Sequence, residues 1–211
     1  ATGIAGSAKF SDGINGKRSI TFSAYYTSVK DYIDADLIAP VMMSSSVFLQ
    51  FSNHDAELYG FEVSGNAEVW NNERFGTGVL KASVSFTKGE NTDTGDNLYH
   101  IAPVNGLIAL EQTKGRWTNA VEVELSAKKD DVSALRKEPQ TGAYALANLR
   151  SSVDIGKVRL NLAVENVFDV DYDLPLGGVS YGDYVYAGGM GAFQPLPGPG
   201  RSFNVGLSMA F

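Results

Sequence analysis

The chain has 211 residues, 44% of them hydrophobic and 11% aromatic, with 23 Gly, no Cys and a formal net charge of −7. The acidic balance argues against nucleic acid as a partner. A mean hydropathy of −0.10, with no run near the roughly 18 apolar residues of a membrane helix, excludes a helical membrane bundle but not a barrel with a wet lumen. The lack of Cys fits an oxidising cell-envelope compartment. An exported protein needs a signal peptide, and the sequence opens without one. A processed product or a fragment of a longer chain is therefore expected.

In chain order, Ile4, Gly6, Ala8 and Phe10 alternate with Ala5, Ser7 and Lys9, the period of a strand. DGINGK (12–17) is a short turn. Ile20, Phe22, Ala24 and Tyr26 then alternate with polar neighbours, and an irregular segment is expected over about 32–55. Tyr59, Phe61, Val63, Ala67 and Val69 face one way in the next strand, with Gly60, Glu62, Ser64, Asn66 and Glu68 facing the other. After the turn at 71–76, Leu80, Ala82, Val84 and Phe86 alternate with Lys81, Ser83, Ser85 and Thr87.

A polar loop covers 89–103, and 104–112 is apolar without a defined face. Beyond the tight TKG turn (113–115), Val121, Val123, Leu125 and Ala127 oppose Glu122, Glu124, Ser126 and Lys128. A charged loop spans about 129–140. In the strand over 141–155, Tyr144 and Leu146 share a face with Asn148 and Arg150, so its faces cannot be assigned. After the 155–157 turn, Val158, Leu160, Leu162 and Val164 oppose Arg159, Asn161, Ala163 and Glu165. The longest loop is about 171–200. In the last strand Phe203, Val205, Leu207, Met209 and Phe211 take every second place.

About nine strands result, and the last stretch, Arg201 to Phe211, is close to the roughly 9–11 residues a tilted strand needs to cross a bilayer. Their connections alternate short and long, as in outer-membrane barrels. Trp70 and Trp117 fall at the short-turn ends, and Tyr32, Phe168 and Tyr172 at the long-loop ends, the pattern of two aromatic girdles. Mid-strand Glu62, Glu68, Lys81, Glu122, Glu124, Arg159 and Glu165 must face water or a polar plug, since Lys or Arg in lipid costs ~2–4 kcal/mol near the midplane. An odd strand count cannot close an antiparallel barrel without a parallel seam, and open edges in lipid are forbidden. The simplest resolution is part of a larger barrel. A solvated sheet in a soluble β-sandwich is the competing reading.

Two motifs name a family. Asn166-Val167-Phe168-Asp169-Val170-Asp171-Tyr172 resembles the N-L-F-D-x-x-Y motif in the next-to-last strand of TonB-dependent outer-membrane receptors. Pro197-Gly198-Pro199-Gly200-Arg201-Ser202-Phe203 resembles the lead-in to their final strand. Tyr59-Gly60-Phe61-Glu62 and Thr141-Gly142-Ala143-Tyr144 are weaker echoes. The resemblance implies an all-β fold: an antiparallel transmembrane β-barrel segment, with residues 1–211 supplying about nine strands of a 22-stranded barrel. It also implies a plug domain and TonB box outside this chain, and uptake of ferric siderophores in the bacterial cell outer membrane. The implied partners are outer-membrane lipid and lipopolysaccharide, the receptor's own plug, the TonB complex and the barrel-assembly machinery. By the same resemblance, Phe203, Val205, Leu207, Met209 and Phe211 form an assembly signal, an edge open to β-augmentation.

No catalytic constellation, enzyme activity or cofactor is expected, because the two histidines have no nucleophile and acid at a suggestive spacing. Glu122 and Glu124, about 7 Å apart on one strand face, read as lumen lining rather than a glycosidase pair. Asn91-x-Asp93-x-Gly95-Asp96 departs from a calcium loop and reads as a polar loop. Tyr181, Tyr184, Tyr186, Met190 and Phe193 are the candidate substrate-binding residues of the outer loops. Thioether and imidazole suit Cu(I), so Met42, Met43, His54 and His100 are candidate metal ligands, with copper or another metal complex as the alternative cargo. A passive porin-like barrel is a further alternative.

Overall fold

The structure is a computed structural model; it describes residues 1–12, 17–38, 48–186 and 193–209. Among the described residues nine antiparallel strands form a single sheet in sequential order. They are β1 (Thr2–Ser11), β2 (Arg18–Ile38), β3 (Phe48–Asn72), β4 (Gly76–Asn91), β5 (Asn105–Lys114), β6 (Trp117–Ser126), β7 (Tyr144–Ile155), β8 (Val158–Glu165) and β9 (Ser202–Met209), with a short helix α1 (Tyr181–Tyr186) before β9. The sheet has two edges, β1 and β9.

Register carries one apolar face across all nine strands. Phe10, Ile20, Gly65, Ala82, Ile108, Val123, Ala147 and Val164 lie on it, and Val164 pairs with Phe203. Its large side chains are bare: Phe203, Val205 and Leu207 are 73–74% exposed. The ionised residues Glu62, Lys81, Glu122, Arg150 and Arg159 occupy the alternate positions. On β3 the outward positions of Tyr59–Ala67 carry no charge, and on a tilted strand this stretch covers a height of roughly 20 Å. Outward charges such as Arg18, Lys88 and Lys114 sit at the strand ends. No helix of the described residues is long and apolar enough to cross a membrane.

All tight connections lie at one end of the sheet. Gly115 and Gly156 open two of them at φ +59° and +63°, a conformation that costs L side chains dearly and glycine nothing.

Several expectations need correction. The segment 32–55 is strand wherever it is described: β2 continues to Ile38 and β3 begins at Phe48, and the two pair with each other past the ends of their neighbours, while 39–47 lie outside the described residues. The faces of β7 are definite. Leu149 pairs with both Val121 and Val164, so the face of Tyr144, Leu146, Asn148 and Arg150 is the inner one. Gly106, Ile108 and Leu110 likewise place β5. A bulge between Glu68 and Trp70 gives Trp70, not Val69, the outward position opposite Gly78. Tyr32 pairs with His54 on the inner side of the hairpin, and Tyr172 packs against Tyr144, so neither belongs to an outer girdle. Tyr26, Tyr59, Phe61 and Phe86 take that place.

Candidate functional site

The inner wall is a ladder of ion pairs across neighbouring strands. Lys81 Nζ lies 2.9 Å from Glu111, Arg150 lies 2.8 Å from Glu122 and 3.1 Å from Glu165, and Lys17 lies 2.7 Å from Glu68. These pairs are partly exposed, so each contributes little stability. Their consequence is a wall that tolerates water or a polar body and repels lipid. Tyr25 reaches across Gly60 to place its hydroxyl 3.0 Å from Thr87 Oγ1; a Cβ on Gly60 would crowd that hydroxyl at 2.9 Å.

At the long-loop end of the sheet the connections are knit together. Asp34, on the β2 extension, accepts hydrogen bonds from Asn91 Nδ2 at 3.0 Å, Arg136 at 2.9 Å and the Ala35 amide at 2.8 Å. Burial works to raise its pKa, but those donors outweigh it and hold the carboxyl below its usual range. Arg136 also lies over the Tyr99 ring at 5.0 Å. Lys129 and Glu138 form a buried ion pair at 2.5 Å, with side chains 2% and 3% exposed. Lys129 also donates to the Pro175 carbonyl, and Glu138 accepts from the Ser133 and His100 amides. The 92–104 loop folds back over the inner face, where Leu98 is 1% exposed against Gly89.

His54 sits on the inner side of the hairpin. Its Nε2 is 2.9 Å from Asp36, and its Nδ1 is 3.5 Å from Asp93; Ser52 hydrogen-bonds Asp36. His100 stacks on Tyr99 at 4.1 Å. Among the described residues no group of three or more His, Asp or Glu could hold a metal ion. Met42, Met43, Met190 and Phe211 lie outside the described residues. Tyr181 is 67% exposed at the start of α1, Tyr184 and Tyr186 follow on the same helix, and Phe193 is half-buried. Phe203, Val205, Leu207 and Met209 line the outward face of the edge strand β9.

Asn91, Asp93, Gly95 and Asp96 build a turn in which each carboxylate is engaged. Asn91 Oδ1 accepts from the Asp93 and Thr94 amides, Asp93 accepts from the Asp55 amide, and Asp96 accepts from Ser133 and the Ala134 and Leu135 amides. Asp34, Arg136, Lys129 and Glu138 escaped the sequence reading. A Lys and a Glu in a charged loop look like solvated surface until the fold closes over them.

The two C-terminal motifs dock on each other. Asn166 is 3% exposed, and its Nδ2 donates to the Val170 and Pro199 carbonyls at 2.9 and 3.3 Å. Asp169 Oδ1 accepts from the Arg201 amide at 2.7 Å. The Tyr172 ring covers Gly198, where a Cβ would stand 2.1 Å from Cζ. Burial, then the Glu124 and Glu165 carboxylates, raise the Tyr172 hydroxyl above its usual pKa.

A family model described as "TonB dependent receptor-like, beta-barrel" matches residues 5–167. No curated protein matches the chain in sequence. Among solved structures it is similar to "Copper transporter OprC", with a TM-score of 0.84 at 20% identity over 99% of this chain and 30% of that one. It is similar to "The FrpB iron transporter from Neisseria meningitidis (F3-3 variant)", with a TM-score of 0.62 at 14% identity over 96% and 30%. The "Structure of the FpvAI-pyocin S2 complex" gives a TM-score of 0.60 at 15% identity over 94% and 25%. At these identities the likeness is one of fold, and the chain spans under a third of the length of each.

Proposed function

The chain belongs to the TonB-dependent receptor β-barrel family, and from that premise we propose that it is the C-terminal barrel portion of an energy-coupled receptor importing a ferric siderophore across the bacterial outer membrane. The carrying observation is the two-faced sheet, with a charge-free outward band and an inner wall of ion pairs. Such a wall suits a polar plug rather than lipid. The knit loops above it supply a rigid rim for the aromatic residues Tyr181, Tyr184, Tyr186 and Phe193 to meet a bulky chelate. The reaction is transport, with no bond made or broken. The plug domain, TonB box and assembly machinery belong to this reading.

The test is uptake of radiolabelled ferric chelates by cells with and without the intact receptor gene, each with and without a protonophore. Uptake that needs both the gene and the proton gradient supports the reading. Gene-dependent uptake indifferent to the protonophore sinks it in favour of a passive porin-like channel.

Copper is a second reading. His54 lies on β3, Met42 and Met43 fall in the sequence between β2 and β3, and thioether with imidazole favours Cu(I). Copper accumulation lost with the gene, and with Met42→Leu/Met43→Leu, would favour it over iron.

A further inference from the structure

The register of the closing strand presents a problem that hydrophobicity does not solve. The outward residues of β8 are Val158, Leu160, Leu162 and Val164, and those of β9 are Phe203, Val205, Leu207 and Met209. A one-residue slip would turn the apolar set inward and is forbidden. A two-residue slip keeps every apolar residue in lipid and every polar one inside, because the side-chain period is two. A tight turn fixes register elsewhere, as at 156–157 between β7 and β8, but β8 and β9 are joined through 166–201. A connection of that length closes at nearly the same entropic cost whether or not the strand has slipped.

We propose that Asn166, Asp169 and Tyr172 form a register clamp that selects the β8–β9 pairing, and so positions the edge that completes the barrel. The clamp begins where the ladder ends, since Glu165 pairs with Ser202. Asn166 is anchored to β7 by its amide, which donates to Asn148 Oδ1 at 2.9 Å, and the next amide donates to the Ala147 carbonyl at 2.8 Å. Its side chain closes the turn by accepting from the Val170 amide at 2.8 Å and donating to the Val170 carbonyl. This holds Asn166 and Asp169 at φ +50° and +55°, a region that Asn and Asp enter more readily than other L residues.

The Asp169 carboxylate then receives the Arg201 amide, and Asn166 reaches the Pro199 carbonyl. Tyr172 covers Gly198, whose amide donates back to the Tyr172 carbonyl at 2.8 Å. Each contact addresses one numbered backbone group of 198–201. A two-residue slip would move that group roughly 7 Å and break every one of them. Gly198 and Gly200 fit this role: a Cβ at the first would strike the Tyr172 ring, and at the second would stand 3.0 Å from Asp169 Oδ1. The inference is independent of what the receptor carries.

The experiment uses the full receptor in outer membranes. The chain has no cysteine, so introduced pairs report cleanly once any cysteine elsewhere in the full receptor is replaced by serine. Ala163→Cys with Asn204→Cys reads the native pairing, and Ala163→Cys with Gly206→Cys or Ser202→Cys reads two-residue slips. Oxidative cross-linking and heat-modifiable mobility are followed together. In Asp169→Ala and Asn166→Ala the native cross-link is expected to fall about tenfold relative to a slipped one. In Asp169→Asn, which keeps the acceptor oxygen, it is expected to persist. Unchanged native cross-linking and folded yield in both alanine variants would overturn the clamp. Should Asp169→Ala yield no folded receptor, Asp169→Asn decides. Recovery of folded, natively cross-linked barrel supports the clamp, and failure of that variant too overturns it.

Discussion

Trp70 lies across Gly78 on the outward face: a Cβ built on Gly78 would stand 2.1 Å from the indole Cε2. The bulge after Glu68 brings the ring there, at the end of the sheet where the tight turns cluster. A side chain at 78 must push the indole away from its seat. Gly78→Ala is therefore expected to lower barrel stability by about 1–3 kcal/mol and to alter the Trp70 emission in a receptor whose other tryptophans, Trp117 among them, are replaced by Phe. Urea unfolding in lipid vesicles, followed by fluorescence, reads both. An unchanged midpoint and spectrum would mean that the seat is not structural.

Adjacent residues of β8 should respond oppositely to the same charge. Leu162 faces outward opposite Val205, and Asn161 faces inward beside the Arg159 row. Leu162→Arg is expected to cost ~2–4 kcal/mol, as for a cation near the bilayer midplane, and Asn161→Arg under ~1 kcal/mol. The folded fraction of each variant in outer membranes measures this. Equal losses would contradict the assigned faces.

The Asp34 contacts predict an acid-sensitive rim. Its carboxyl titrates below the usual carboxylate range in the folded state, so the folded protein holds the Asp34 proton less tightly than the unfolded chain. The resulting stabilisation is present above the unfolded value of about 4 and is lost as pH falls through the lower, folded one. A spin label at Ala134→Cys should stay immobile from neutral pH to about pH 4 and gain mobility below it. In Asp34→Asn the label should be mobile at neutral pH. A label indifferent to both changes would remove Asp34 from the rim's support.

The Lys129–Glu138 pair should behave as a buried one. Lys129→Met leaves the Glu138 carboxylate in an enclosed site with two amide donors; breaking such a pair costs about 3–5 kcal/mol. Hydrogen exchange over 127–143 should accelerate strongly in that variant. The double change Lys129→Met/Glu138→Leu should recover much of the protection, since it removes the stranded charge. Slow exchange in the single variant would show that the loop does not depend on the pair.

The sequence by itself settled the all-β class, the number of strands, the sorting of long and short connections to opposite ends, and the inward placement of Glu62, Lys81, Glu122 and Glu165. Period-two alternation is local, and a bilayer forbids ionised residues on one of the two faces, so parity alone decides. Where parity fails, only the tertiary structure could decide. The β7 face of Tyr144, Leu146, Asn148 and Arg150 mixes chemistries, and it was assigned through the pairing of Leu149 with Val121 and Val164. The bulge at Trp70 and the bulge that turns Tyr32 inward are insertions of one residue, invisible to a pattern that assumes an unbroken period. The rim and the clamp join residues far apart in the chain, Asp34 with Arg136 and Asp169 with Arg201. Their contacts exist only once sheet register has brought those loops to one place, and nothing in the spacing of either partner encodes the other.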